Sequence, residues 1–361
     1  MNTVVTDKMF DRSVVNRGNL YRIEKLISKA ENGEEITYVS LGGSITQGAA
    51  ASSSETCYAS LVAKYLENRF PHAKINFINA GIGATGSLIG VHRLARDVLA
   101  YKPDFVTVEF SVNDCDDKEE VVRESYDNLL YSILSSESTP ALLLIATVNG
   151  DTIYNREDVH TPIAKHYDLP FVSLRRLIDR ELESGKIVWR EIARDALHPL
   201  DEGMALIAAM VGHFLDSACS DVTDKEYKIP SRFSNDIYKD ATIMYAEALP
   251  ENGNFTYSSE KTCSFGGTLV AKCGEPIEIT LENCRRAFLL YMRTPKENAG
   301  RVTVKVGERE YDIDASFENG WGSYAKYVRI FDSEKPENIR ISIVPNEGED
   351  KELKIFGIMH S

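Results

Sequence analysis

The first 218 residues alternate between short apolar runs and longer stretches in which apolar residues recur every three or four positions. The runs Ile36 to Leu41, Lys74 to Asn79, Phe105 to Phe110, Ala141 to Val148 and Phe171 to Leu174 have the length of strands. Between them, Tyr58 to Phe70 carries Leu61, Val62, Tyr65 and Leu66 on one helical face and stops at Pro71. Ser87 to Leu99, Glu119 to Leu134, Asp158 to Tyr167 and Asp201 to Ala218 read as further helices, with another between the last two. A helix over residues 18 to 31 precedes them all, with Leu20, Ile23, Leu26 and Ile27 at its spacing and Asn32-Gly33 at its end. Strands that are apolar on both faces need cover on both faces. The pattern therefore predicts an α/β fold, a three-layer α/β/α parallel sheet. In such sheets chemistry gathers at the carboxyl ends of the strands.

Near residue 220 the pattern changes. Ser220-Asp-Val-Thr-Asp-Lys-Glu is polar, and beyond it apolar residues alternate with period two: Val302, Val304, Val306; Ile339, Ile341, Ile343; Leu353, Ile355. Pro276 to Leu281 and Phe288 to Met292 add strands, and Gly307 and Asn346-Glu-Gly348 mark turns. A chain of 361 residues is long for one core. The expected division is an α/β domain over 1–218, a linker over 219–232, and an all-β sandwich over 233–361.

A net charge of −14 disfavours nucleic acid and anionic membrane as partners, because both would be repelled. It is indifferent to a neutral substrate. The start of the chain lacks a basic segment followed by an apolar core, and no apolar run approaches a membrane span, so a cytoplasmic address is expected. Six cysteines without C-x-x-C spacing read as free thiols.

Four stretches carry the chemistry. Ser44 follows the strand at Ile36 to Leu41, in a glycine-flanked turn that can lift a hydroxyl clear of the sheet. Asp195 and His198, in Arg194-Asp-Ala-Leu-His-Pro199, are close enough for one local segment to hold a carboxylate against an imidazole. Serine, histidine and aspartate are the parts of a nucleophilic hydrolase. Asn79-Ala-Gly81-Ile-Gly83-Ala84 and Ser111-Val-Asn113-Asp114 also lie at strand ends. Their backbone amides and the Asn113 amide are donors of the kind that hold a tetrahedral oxyanion.

With these four blocks in this order, the sequence resembles the SGNH (GDSL-type) hydrolase superfamily, a flavodoxin-like fold, over roughly residues 35 to 218. The resemblance implies Ser44 as nucleophile, His198 as general base and then acid, and Asp195 as the group orienting the imidazole. It also implies an oxyanion hole from the Ser44 and Ala84 amides and the Asn113 side chain, with no metal or cofactor. The sequence departs from the family pattern at Gly43, where many members have aspartate, at Ser111, and at Ala84, where glycine is usual. Gly83 is therefore an alternative donor. The Gly-Gly-Ser-Ile-Thr form followed by a β-sandwich is similar to bacterial carbohydrate esterases that deacetylate plant polysaccharide fragments, some of them acetylated mannan oligosaccharides. That implies an acetylated oligosaccharide from hemicellulose, mannan or xylan, as substrate and a carbohydrate-binding role for the β domain.

Other readings compete. The same triad serves a short-chain lipid or thioester hydrolase or an acyltransferase, and a non-catalytic carbohydrate-binding protein could keep the fold. Gly81-x-Gly83-x-x-Gly86 follows a strand and opens a helix, and Glu109 ends the next strand, as in a dinucleotide-dependent oxidoreductase. That reading leaves Ser44, Asn113, Asp195 and His198 without roles. Asp114, Asp116 and Asp117 are expected to cap the following helix. His92, His160, His166 and His213 have no partner motif. Trp189 either packs the last helices or walls the substrate pocket; Trp321, in a glycine-flanked loop, either packs the β domain or stacks on a sugar.

Overall fold

A computed structural model describes residues 5–219, 224–295, 299–318, 322–346 and 351–361. The chain divides into two compact units, Met1–Asp236 and Ile237–Ser361.

The first unit is built in chain order from α1 (Asp7–Ser13), β1 (Val14–Asn16), α2 (Tyr21–Glu31), β2 (Glu35–Gly42), α3 (Ser44–Gln47), α4 (Tyr58–Arg69), β3 (Lys74–Gly81) and α5 (Ser87–Asp97). There follow β4 (Phe105–Glu109), α6 (Glu119–Leu134), β5 (Ala141–Ala146), α7 (Glu157–His166), β6 (Phe171–Ser173), α8 (Leu174–Glu183), α9 (Trp189–Ile192) and α10 (Asp201–Ala218). The sheet order is β1-β6-β5-β4-β2-β3. β2 to β6 are parallel, and β1 adds an antiparallel edge against β6. Three residues with two adjacent valines were too short a run to stand out in the sequence.

Alternate strand residues face alternate layers. Tyr38, Phe105, Leu143 and Ile145 share a core with Ile23 and Leu26 of α2, Val62 and Leu66 of α4, Leu177 of α8 and Ile207 and Val211 of α10. Their neighbours Val39, Val106, Leu142 and Leu144 are equally buried on the other face. The parallel strands have the flavodoxin-like order, reversing direction of travel between β2 and β4. That reversal opens a crevice at the carboxyl edge, where ligands bind in sheets of this kind. Ser44 follows β2 and Asn113 follows β4, so the order itself places both at the crevice.

The expected linker is shorter than its polar composition suggested. From Asp224 onward the segment is fastened to the first unit: Leu20 N–H donates to Asp224 at 2.8 Å, Tyr227 Oη to Tyr167 O at 2.7 Å, and Ser234 N–H to Asp127 at 2.8 Å. The Arg232 guanidinium lies 4.0 Å from the Tyr131 ring centroid. Asp224, Tyr227 and Arg232 read as linker and Ser234 as the start of the β domain, yet all four bond to the first unit, and the division falls after Asp236.

The second unit is all-β. Its strands are β7 (Thr242–Tyr245), β8 (Phe255–Thr262), β9 (Gly266–Ala271), β10 (Ile277–Pro295), β11 (Arg301–Val306), β12 (Arg309–Asp314), β13 (Ser316–Phe317), β14 (Tyr324–Pro345) and β15 (Leu353–His360). The main path, β12-β11-β14-β10-β15-β9-β8, is antiparallel throughout. The pairing of the two long strands β10 and β14 shifts register between Leu281 and Arg286 and again between Ala287 and Phe288. The period-two residues Val302, Val304, Ile341, Ile343 and Ile355 all enter one apolar core. Trp321 lies outside the described residues.

Candidate active site

Gly42 ends β2, Gly43 turns the chain, and Ser44 opens the one-turn helix α3, which Gly48 closes with φ of 92°. The first amides of a helix have no intrahelical acceptor, so the Ser44 N–H is free to serve something else. Asn79, at the end of β3, fixes this turn by donating from Nδ2 to Thr46 O at 2.8 Å and accepting from Gly81 N–H at 2.9 Å.

The second part lies in the loop between α9 and α10. Asp195 Oδ1 accepts the N–H groups of Leu197 and His198, both at 2.9 Å, curling the chain so that the imidazole meets its own capping carboxylate. His198 Nδ1 is 2.8 Å from both Asp195 oxygens, and His198 Nε2 is 2.8 Å from Ser44 Oγ. Partial burial opposes ionisation of Asp195, but the bonds from Leu197 N–H, the His198 ring and His198 N–H outweigh it and hold the carboxyl down at about 2. The acid thus remains an anion, as an imidazolium partner requires.

The third and fourth parts face Ser44. A Cβ placed on Gly43 would lie 2.1 Å from Asn113 Oδ1 and 3.3 Å from Thr85 O, and one on Gly83 would lie 3.8 Å from Ser44 Cβ. The loops after β2, β3 and β4 therefore converge. Asn113 occupies the space a side chain at 43 would need, which is the physical reason for glycine in this chain. Gly83 N–H already donates to Gln47 Oε1 at 2.9 Å. Among the described residues Ala84 N–H and Asn113 Nδ2 have no acceptor. Ala84 has φ of 56°, the left-handed conformation that favours glycine, so this turn holds a residue with a side chain in a backbone that glycine adopts more readily.

This constellation can carry out acyl transfer: a hydroxyl on an imidazole, the imidazole on a carboxylate, and unused donors alongside. Residues 40–206 match the model of the GDSL-like Lipase/Acylhydrolase family. No curated protein matches the chain. Among solved structures, a two-domain esterase active on acetylated mannans, co-crystallised with mannopentaose, is 31% identical over 98% of both chains, with a TM-score of 0.88. A second structure of a two-domain esterase active on acetylated mannans aligns over the same shares at 30% identity and a TM-score of 0.89. The chain belongs to the GDSL-like acylhydrolase family.

It is a carboxylic ester hydrolase, and the features of the rival readings find other uses in this family fold. Glu109 is fully buried, and its Oε1 accepts from Ser111 N–H, Ser111 Oγ and Thr147 Oγ1 at 2.9–3.0 Å, so it cannot reach a ribose. The N-terminus of α5, where a pyrophosphate would sit, is already taken by Asp114 Oδ1, 2.7 Å from Ser87 N–H. Asp114 was expected to cap the following helix; it turns inward and caps the preceding one. His160, without a partner in the sequence, bonds Asp114 Oδ2 at 2.9 Å.

Trp189 is only 5% exposed. Its indole N–H donates to Asp195 O at 2.8 Å, and a Cβ on Gly150 would meet its ring at 2.1 Å. It packs the last helices and supports the Asp195 turn, so the pocket-wall reading is set aside. No helix among the described residues is long and apolar enough to cross a membrane, and all six cysteines are free.

Burial pushes the Glu109 carboxyl up to about 7, against the hydrogen bonds from Thr147 and Ser111 that favour the anion. The native state therefore binds a proton that the unfolded state has released, and this stabilisation is lost as pH rises from the ordinary carboxylate range through about 7. Glu109→Gln has no such proton. Its stability relative to the native protein is expected to improve by about 2 kcal/mol between pH 5 and pH 8. Denaturant melts of both proteins at the two pH values measure this; a constant difference would contradict it.

Proposed function

We propose that this chain removes O-acetyl groups from acetylated oligosaccharides, mannan fragments foremost, through an acyl-enzyme on Ser44. The observation that carries the reading is the continuous Ser44 Oγ–His198 Nε2 and His198 Nδ1–Asp195 contact, each 2.8 Å. Ser44 Oγ attacks the ester carbonyl while His198 takes its proton. The tetrahedral oxyanion is held by the Ser44 and Ala84 amides and Asn113 Nδ2. As the bond from the acyl carbon to the sugar oxygen breaks, His198 returns the proton to that oxygen, which departs as a hydroxyl. Water, activated by the same imidazole, then releases acetate from Ser44, while Asp195 steadies each imidazolium.

The substrate class is supported by likeness along the whole chain, both units included, to esterases active on acetylated mannans. Carbohydrate binding by the all-β unit belongs to the same proposal. The test is acetate release from acetylated mannan, xylan and pectin oligosaccharides, beside nitrophenyl esters of increasing acyl length. The expected result is fastest release from mannan fragments and falling rates beyond acetyl. Equal turnover of long-chain esters, or no release from any acetylated sugar, would overturn the substrate assignment.

A further inference from the structure

Asp114 stands next to Asn113 in sequence, but its side chain does not face the crevice. It is fully buried, as is His160, and the pair is linked at 2.9 Å. The His160 ring lies flat on Tyr126, centroids 3.8 Å apart and planes within 4°. The other carboxylate oxygen takes Ser87 N–H at 2.7 Å and lies 2.6 Å from where a Cβ on Gly86 would be. The Asp114 backbone N–H donates to Phe110 O at 2.9 Å, closing the turn that presents Asn113. One carboxylate thus touches the loop that carries Asn113, the Gly86-Ser87 turn two residues past Ala84, and a ring anchored on α6 through Tyr126.

We infer that Asp114, braced by His160, is a positioning residue that locks the Asn113 side-chain donor and the Ala84 amide donor into one rigid oxyanion hole. The inference rests on the proposed Ser44 mechanism. Its physical basis is that donors stabilise a developing charge only when they are fixed beforehand, so a loop free to relax by a fraction of an ångström loses most of the benefit. A buried carboxylate is costly unless its lone pairs are satisfied, and here each oxygen has a partner on a different element. Gly86 fits the same account, because a side chain there would push Asp114 off the helix end.

A structural role alone would lower stability. A positioning role lowers kcat through Asn113, and a double-mutant cycle separates the two. Asp114→Ala is expected to reduce kcat on nitrophenyl acetate by about 100-fold with KM within about threefold. In an Asn113→Ala background the same change should cost about tenfold or less, because one of the two donors it positions is already gone. Asp114→Asn keeps an acceptor for Ser87 N–H and should restore kcat to within about tenfold of the native value. Should Asp114→Ala fail to fold, His160→Phe keeps the stack on Tyr126 while removing the donor, and carries the same cycle. Equal losses in both backgrounds, or a loss confined to KM, would overturn the inference. Undiminished turnover by Ser44→Ala would instead overturn the mechanism beneath it.

Discussion

Replacing Ser44 by alanine is expected to abolish measurable ester hydrolysis, a fall in kcat on the order of 10⁵–10⁶ by comparison with serine hydrolases that use a triad as one unit. The loss should be nearly complete because no neighbouring hydroxyl can substitute: His198 Nε2 is committed to Ser44 Oγ at 2.8 Å, and Ser40 and Thr46 are buried and bonded to Tyr58 and Thr107. Stability should hardly change. Ser44 is 9% exposed, and its backbone, not its hydroxyl, makes the bonds that hold α3. Steady-state kinetics on nitrophenyl acetate, with a thermal melt of the same samples, measures both. Retained turnover in a folded variant would remove Ser44 from the chemistry.

The second large effect concerns the framework behind the crevice. Arg93 on α5 has no exposed side-chain surface, yet it carries a full charge. Its guanidinium donates to Ala80 O at 2.7 Å and Gly42 O at 3.0 Å, near the carboxyl ends of β3 and β2, and pairs with Asp97 at 3.0 Å. Burial works against ionisation of Asp97, but Arg96 and Arg93 outweigh it and keep that carboxyl below its ordinary range. Arg93→Met keeps the length and apolar stem but takes the buried donor from the Ala80 and Gly42 carbonyls and leaves Asp97 with Arg96 as its remaining cation. The expected loss is about 3–5 kcal/mol of stability, read as a shift in the denaturant midpoint at constant slope. A change within about 0.5 kcal/mol would mean the pair is dispensable.

The fold was legible because its determinants are local and repeated. Uninterrupted apolar runs such as Ala141 to Ala146 are buried on both faces, and the heptad-like face of α2 is the one that meets the sheet. The contact between Asp195 and His198 was legible for the same reason: the two residues share one loop. What escaped was mostly long-range. Nothing near His160 in sequence indicates Asp114, 46 positions away, and Asp114 followed by further acids looks like an ordinary helix-capping cluster. Asp224 and Arg232 looked like linker because polarity is the same whether a side chain meets water or bonds a distant helix. Gln47 takes the Gly83 amide across 36 positions, a contact no spacing indicates, and under the proposed mechanism this leaves Ala84 as the donor. The dinucleotide fingerprint was ambiguous until the carboxylate at the start of α5 was in view.

Under the proposed mechanism Ser44 becomes covalently acylated during turnover. The most direct measurement is to quench the protein with an excess of nitrophenyl acetate within a single turnover and map the acetylated peptide by mass spectrometry. Acetyl is expected on the peptide bearing Ser44, absent from Ser44→Ala and longer lived when His198 is replaced. Acetyl on another residue, or turnover with no covalent intermediate under conditions that trap one in a control serine esterase, would contradict it.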